Sequence, residues 1–508
     1  MVFRTLVSNF AGKMTALAIA LAALLPAVAQ AQAERVLVLS QGQVHARSEQ
    51  FSGVTQLSGA GQAQRSRAPQ AVAAAAKKAP RGRATRQAVD ALLAAGQIDQ
   101  PTRDARQASL RSILRSYAAM TGTRKSELGA VIDNADAISA AGNLTPSRLN
   151  PIFTTLEANR EWWRDGSLLK SGQRVSIGTS PVIWQYYPGQ GIELQVLANF
   201  GKANALWSAK NKTALRTLLD QLIPLATDRG GWPAWEYFFK FASGKPPWTS
   251  SISQGTAVQV LGRAAQLLAD PSLITEGDLA LAAFEQPVPN GVRVDTPSGP
   301  FYAIYSFAPH ELVINAHLQA LVGLYDFAQI TGDSRALGLF QAGDATAQAV
   351  LPSYDTGKWS MYDQNHESDL SYHNLVTGFL RNLCTRTGAP IYCSTAANFK
   401  ADLKSTPALT LASQTIRSGA PAKLTFALDK ISRVALVVRD ASARIVFSTS
   451  AVVGRGPHFY GWSRPSSAGA YQLTATATDL AGNHSPQASA PLKILPKRKP
   501  RRQPGTPR

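Results

Sequence analysis

Between about residues 84 and 400 the apolar positions recur with a mostly helical period. Leu110, Ile113, Leu114 and Tyr117 form one stripe, and Leu318, Leu321, Val322 and Tyr325 form another. The stretch 312–330 is apolar on nearly every side, which predicts a helix buried in an inner layer. Thr121-Gly122, Thr331-Gly332 and Thr387-Gly388 each follow an apolar run, where glycine predicts a left-handed helix stop. This echo of repeated helical hairpins predicts a mainly α body, an (α/α) toroid with short β insertions. The insertions are the aromatic-rich run Trp235 to Phe241 and a hairpin across 292–307 that turns at Pro297-Ser298-Gly299. Loops at one mouth of a helical ring are where a site is expected.

After about residue 405 the period changes to two. Leu409–Thr415, Lys423–Leu428, Val434–Val438, Arg444–Ser448 and Tyr471–Thr478 read as strands separated by turn residues. They predict a C-terminal Ig-like β-sandwich, with Trp462 and Tyr471 as core rings.

Composition divides the chain further. At 508 residues it is long enough for two or three domains, and 45% hydrophobic with 17% charged residues excludes whole-chain disorder. Residues 1–33 read as a secretory signal: Arg4 and Lys13, an apolar run from Met14 to Ala29, then small residues at Ala31-Gln32-Ala33. The expected organisation is a signal at 1–33, a linker at 34–85 rich in Ala, Gln, Ser and Gly, the helical body at 86–404, the sandwich at 405–495 and a basic tail at 496–508. The net charge of +20 is concentrated at the ends. Lys497, Arg498, Lys499, Arg501 and Arg502 predict a solvated, disordered tail, with adhesion to an acidic cell-surface polymer as its functional alternative. No aromatic-basic stacking motif accompanies it, so nucleic acid is not an expected partner. The expected location is secreted, periplasmic or cell-surface, with no transmembrane span after signal cleavage. In an exported chain Cys384 and Cys393 predict a disulfide. Asp363, His366, Glu367 and His373 match no standard metal spacing, and no phosphate-binding glycine loop is present, so neither a metal nor a cofactor is expected.

One dense region, 299–381, carries the candidate chemistry. It contains Phe301-Tyr302, Tyr305, Asn315, Gly323-Leu324-Tyr325-Asp326, Leu351-Pro352, Tyr354-Asp355-Thr356-Gly357, Tyr362-Asp363 and Tyr372-His373. In that order these motifs resemble the C-terminal catalytic domain of the D-glucuronyl C5-epimerases, the enzymes of heparan and heparosan maturation. Upstream, Pro247-Trp248, Ser253-Gln254-Gly255, Tyr186-Tyr187-Pro188-Gly189-Gln190-Gly191 and Asn199-Phe200-Gly201 continue the likeness, which spans about 180 to 395. The resemblance implies a uronyl C5-epimerase acting on an acidic polysaccharide. Such a reaction removes the proton α to a carboxylate and returns one on the other face. It needs two acid/base groups, which can be phenols once nearby charge or donors lower their usual pKa of ~10. It also needs donors for the enediolate-like charge.

The resemblance assigns acid/base roles to Tyr305, Tyr362 and Tyr372. It makes Asn315 either a helix cap or a site residue, Trp248 a sugar platform or a core ring, and Gln254 and His373 candidate substrate contacts. Four family positions differ: an acid is replaced by Ile304, an arginine by Asn365, a tyrosine by Thr249 and a histidine by Val376. Glu367, Lys358 and Arg381 are the candidate substitutes. Three further readings stand beside the epimerase. They are a uronate lyase, a catalytically inactive carbohydrate-binding surface protein, and a glycosidase using two of Asp355, Asp363, Glu367 and Asp369.

Overall fold

A computed structural model describes residues 32–53, 79–465 and 467–497. The expected signal up to residue 31, the middle of the expected linker (54–78) and the tail from 498 lie outside the described residues. The chain divides into two compact units. One comprises Met1–Ala349 with Asn382–Gly388, and the other Val350–Arg381 with Ala389–Arg508.

The first unit opens with two strands where a linker was expected. Strand β1 (Gln32–Ser40) carries the run Val36–Leu39, and β2 (Gln43–Phe51) folds back on it in antiparallel register, Ser40 opposite Gln43. Gln41 and Gly42 both have positive φ, 51° and 74°, the geometry of a two-residue hairpin turn. The Gln-Gly pair lacks the asparagine that usually announces such a turn, and the Ala/Gln/Ser composition concealed the strands. After helices α1 (Arg83–Ala94), α2 (Gln100–Ala119), α3 (Gly122–Ala140) and α4 (Pro146–Asp165), β1 gains a parallel neighbour, β3 (Arg174–Ile177). Strands β4 (Trp184–Tyr187) and β5 (Gly191–Leu194) complete a five-stranded sheet of order β2-β1-β3-β4-β5.

Helices α5 (Val196–Ser208) and α6 (Lys212–Leu222) follow, then the short strands β6 (Thr227–Asp228) and β7 (Pro233–Ala234). Next come α7 (Ser251–Leu268), α8 (Ser272–Ala280), α9 (Ala282–Glu285) and the expected hairpin, β8 (Arg293–Thr296) with β9 (Gly299–Tyr302). Helices α10 (Ile314–Thr331) and α11 (Ser334–Val350) close the series. Helix α10 is the all-apolar segment and is buried along most of its length. It approaches α7 so closely that a Cβ on Gly255 would lie 2.6 Å from the Ala320 Cα. Gly332 caps α10 in the left-handed region at φ 74°, as its position predicts. Gly122 is also left-handed, but it begins α3, while α2 ends at extended Met120.

The second unit joins the Val350–Arg381 segment to the chain beyond Ala389. It therefore does not begin at the expected boundary near 405. Helix α12 (Leu370–Thr387) starts within it, and α13 (Pro390–Asp402) leads to the strands. These are β10 (Leu409–Thr410), β11 (Gln414–Arg417), β12 (Ala422–Leu428), β13 (Ser432–Arg439), β14 (Ile445–Val453), β15 (Gly456–Trp462), β16 (Gly469–Asp479) and β17 (Ala488–Leu495). They form a three-stranded sheet, β10-β12-β15, and a five-stranded one, β11-β17-β16-β13-β14. Alternate residues of both sheets, among them Leu424, Phe426, Val434, Leu436, Leu473 and Leu492, share one apolar cluster. Trp462 belongs to that cluster and Tyr471 packs at its border.

Candidate functional site

In the first unit the expected site residues converge through paired backbone. Ser251 N–H donates to the Ala303 carbonyl (3.1 Å) and Ser306 N–H to the Thr249 carbonyl (3.0 Å). The start of α7 therefore runs beside the segment carrying Tyr305. The Tyr305 ring stacks on Phe307 at 5.2 Å and meets Trp248 edge-on at 5.8 Å. Trp248 is itself buried: Tyr237 covers one face at 4.3 Å, and its indole N–H donates to the Phe239 carbonyl at 2.8 Å. It is a core ring and presents no platform to a sugar. The Gln254 amide donates to the Trp235 carbonyl and to Thr249 Oγ1, both at 2.8 Å.

Asn315 caps nothing. Val313 is the N-cap of α10, and Asn315, the second residue of that helix, is buried. The oxygens Gln254 Oε1, Asn315 Oδ1 and Ser250 Oγ are all buried without a hydrogen-bond partner among the described residues. Each such group costs about 1–3 kcal/mol, so these oxygens, among the buried polar residues Thr249, Ser251, Ser253 and Ser306, are the polar atoms of this region left to meet a ligand. Ile304, where the resembling family has an acid, is fully buried. Nearby, His317 fixes the strand before Tyr305. Its Nδ1 accepts the Tyr302 N–H at 3.0 Å, its Nε2 faces the Gly343 carbonyl at 3.0 Å, and Phe301 stacks on it at 4.3 Å. Burial lowers its pKa to about 4, so the ring is a neutral strut with the proton on Nε2.

In the second unit Tyr362 and Tyr372 are brought together, ring centroids 4.7 Å apart and edge to face. Both phenol oxygens are shielded from solvent. Tyr362 stands at the head of a tight loop in which its N–H donates to the His366 carbonyl at 2.7 Å. Asp363 organises that loop: its Oδ1 accepts the N–H groups of Asn365 (2.7 Å) and His366 (2.8 Å), and both carboxylate oxygens lie 2.9 Å from His366 Nδ1. The His366 side chain is 64% exposed. It is an imidazole oriented by a buried carboxylate beside Tyr362, a pairing that the sequence hinted at only through the i, i+3 spacing.

His373 does not reach a substrate. It is fully buried, stacked at 3.7 Å on Trp359, with Nδ1 2.9 Å from the Ser360 hydroxyl and Nε2 2.8 Å from the Phe399 carbonyl. Burial lowers its pKa as well. Both ring nitrogens being engaged, it positions Ser360 and α12 instead of a sugar. Arg381 shares α12 with Tyr372, nine residues on. At about 100° per residue it projects from the opposite face. Glu367, the other expected substitute, accepts backbone N–H groups from Ile431 (3.3 Å) and Arg455 (2.7 Å). Asp355 accepts the Gly357 N–H at 2.8 Å as a turn residue. Cys384 and Cys393 are both disulfide-bonded. Among the described residues no cluster of three or more metal-ligating side chains occurs, and no helix is long and apolar enough to cross a membrane.

Residues 229–401 match the family described as D-glucuronyl C5-epimerase C-terminus. The chain is similar to the D-glucuronyl C5-epimerase of Caenorhabditis elegans, 31% identical over 163 residues, which is 29% of this chain and 26% of that protein. It is also similar to an uncharacterized protein of Methanocaldococcus jannaschii, 28% identical over 166 residues, 31% of this chain and 54% of that one. The chain thus spans about a quarter and about half the length of these two relatives. Among solved structures, the cellobiose 2-epimerase of Spirochaeta thermophila aligns over 54% of this chain and 72% of its own, at 12% identity and a TM-score of 0.32.

Proposed function

We propose that this chain, whose residues 229–401 belong to the D-glucuronyl C5-epimerase C-terminus family, is an exported carbohydrate epimerase that inverts C5 of glucuronate-type residues in an acidic polysaccharide. The observation that carries the reading is the contact between Tyr362 and Tyr372 inside the family-matched segment. Two phenols held side by side are the candidates to pass a C5 proton, one as base and the other as acid. Tyr305 is the third acid/base candidate, on its own wall of aromatic rings. Where the family's arginine is replaced by Asn365, the adjacent His366 is the donor best suited to a uronate carboxylate. Asp363 holds its Nδ1, and Nε2 has no hydrogen-bond partner among the described residues. Ile304 is fully buried where the family has an acid, so the relay in this chain would run without that carboxyl. The helical unit is read as an (α/α) toroid, the C-terminal sheets as an Ig-like sandwich, and the basic tail as an adhesive end for an acidic surface polymer.

A second reading is favoured by the shielded phenol oxygens and by the replacements at Ile304 and Asn365: a carbohydrate-binding protein without turnover. The two separate in heavy water. The purified chain, incubated with glucuronate-containing polysaccharides, should introduce deuterium at C5 without cutting the chain. Tyr362→Phe and Tyr372→Phe should each lower that rate by about 10²–10⁴-fold, the usual span for a lost acid/base group. Exchange that survives both substitutions refutes the assignment. Binding with no exchange selects the inactive reading, and an unsaturated ultraviolet-absorbing product selects the lyase.

A further inference from the structure

The C-terminal sheets look like an appendage in sequence, yet they hold the segment that carries both site tyrosines. Lys430, on the turn entering β13, is fully buried. Its ammonium pairs with Asp479 on β16 at 2.6 Å and donates to the Asp402 carbonyl (2.6 Å) and the Ser405 carbonyl (3.0 Å) at the end of α13. It also sits over the Trp359 ring, 4.8 Å from the centroid. The Trp359 ring lies flat on His373 (interplanar angle 9°), and its indole N–H donates to the Ser368 carbonyl at 2.8 Å. Trp359 and His373 therefore bracket the loop, one just before Tyr362 and the other just after Tyr372.

A second tie acts independently. The Glu367 carboxylate, in the loop between the two tyrosines, accepts the Ile431 and Arg455 N–H groups from the two ends of the β13–β14 hairpin. Gly454 makes room for it: a Cβ there would lie 2.9 Å from Glu367 Oε2. A cation on an indole face and a carboxylate on paired amides are each directional contacts. Together they fix the loop at two points, through residues of the sheets that have no counterpart in the family-matched segment.

We infer that Lys430 and Glu367 are positioning residues of the epimerase site, and that the C-terminal sheets are part of the scaffold that holds the segment carrying Tyr362 and Tyr372. The inference rests on the proposed function for its catalytic meaning. The test uses the full chain and three variants: Lys430→Met, Glu367→Ala and Gly454→Ala. The last displaces only the end of a flexible side chain, so it retains the fold where the first two could lose it. Amide hydrogen exchange over 359–373 and steady-state epimerisation are measured together. Expected are at least about tenfold faster amide exchange in that segment and a kcat lowered at least about tenfold, with KM changed less than about threefold; Glu367→Gln, which retains one acceptor, should recover part of kcat. Unchanged amide exchange over 359–373 in Gly454→Ala and in either folded companion overturns the inference, whatever the activity. So does an active wild type whose kcat is insensitive to all three. A wild type without activity whose variants still loosen 359–373 refutes the epimerase reading and leaves the clamp.

Discussion

Protonating His317 should remove about 3 kcal/mol of stability from the helical unit. The ring is fully buried, and burial lowers its pKa to about 4 from the usual value of about 6.5. The difference is about 2.5 units, and at 1.36 kcal/mol per unit this gives about 3 kcal/mol. The sign follows from which state binds the proton first. The unfolded chain protonates near pH 6.5 and the folded one only near pH 4, so stability is complete above about 6.5. It falls as pH decreases through that window and is flat below about 4. Other groups titrate in the same range. Burial also raises the Asp402 carboxyl to about 6, and its contribution has the opposite sign, falling as pH rises from about 4 to about 6. The measurement is therefore a difference between two proteins. His317→Gln keeps a donor for the Gly343 carbonyl and never titrates. Its loss of stacking on Phe301 is a constant offset. Urea unfolding of wild type and variant at about pH 7, 5 and 4, followed by helix circular dichroism, should show the wild-type advantage shrinking by about 3 kcal/mol across the series. Parallel curves refute the reasoning, as does a His317 ring proton that titrates near 6.5 by NMR.

Two further outcomes are expected. Burial holds the Glu193 carboxyl protonated far above its ordinary range, and its Oε1 has no hydrogen-bond partner among the described residues. A raised folded pKa means stability lost as pH rises from about 4.3, so Glu193→Gln should raise Tm near pH 7 and change it little near pH 4, as scanning calorimetry can check. In Gly323→Ala, a Cβ would run into the Gly255 carbonyl, 2.6 Å from its carbon, in the α7–α10 contact. Alanine in a helix interior normally stabilises by about 1 kcal/mol; here overpacking should destabilise by about 1–3 kcal/mol, and a neutral or higher unfolding midpoint in urea would contradict the close contact.

What could be read from the sequence was local. The all-apolar segment around Leu318 becomes α10, and Gly332 stops it because a residue without a Cβ enters the left-handed region freely. The hairpin at Pro297-Ser298-Gly299 and the alternating strands beyond 409 likewise carry their own turn signals. What escaped was set by partners far along the chain. Strand β1 depends on β3, about 140 residues later, and on a turn built from Gln41 where asparagine is the usual signal. His373 read as a substrate contact, and Trp248 stood open between platform and core ring, because nothing near them in sequence reports that Trp359, Phe399, Tyr237 and Phe239 would enclose them. Glu367 resembled a spare acid until Ile431 and Arg455, more than sixty positions away, claimed it.

The two buried imidazoles share one construction. In each, Nδ1 accepts a backbone N–H, from Tyr302 or from Ser360, and Nε2 faces a carbonyl, of Gly343 or of Phe399. Each ring lies on an aromatic plane, Phe301 or Trp359. Each ties down the backbone two or three residues before a candidate acid/base tyrosine, Tyr305 or Tyr362. A neutral ring can do this and a charged one cannot, because an imidazolium has no lone pair to accept the N–H and could not remain in so apolar a setting. Burial lowers both pKa values, so the proton inventory that keeps these segments in place is the one present at neutral pH. A rate that falls on acidification would therefore report protonation of a phenolate base first, since a phenol's usual pKa is about 10 and His317 titrates at about 4, and His317→Gln should leave that upper limb in place while it removes the stability limb of its own strut.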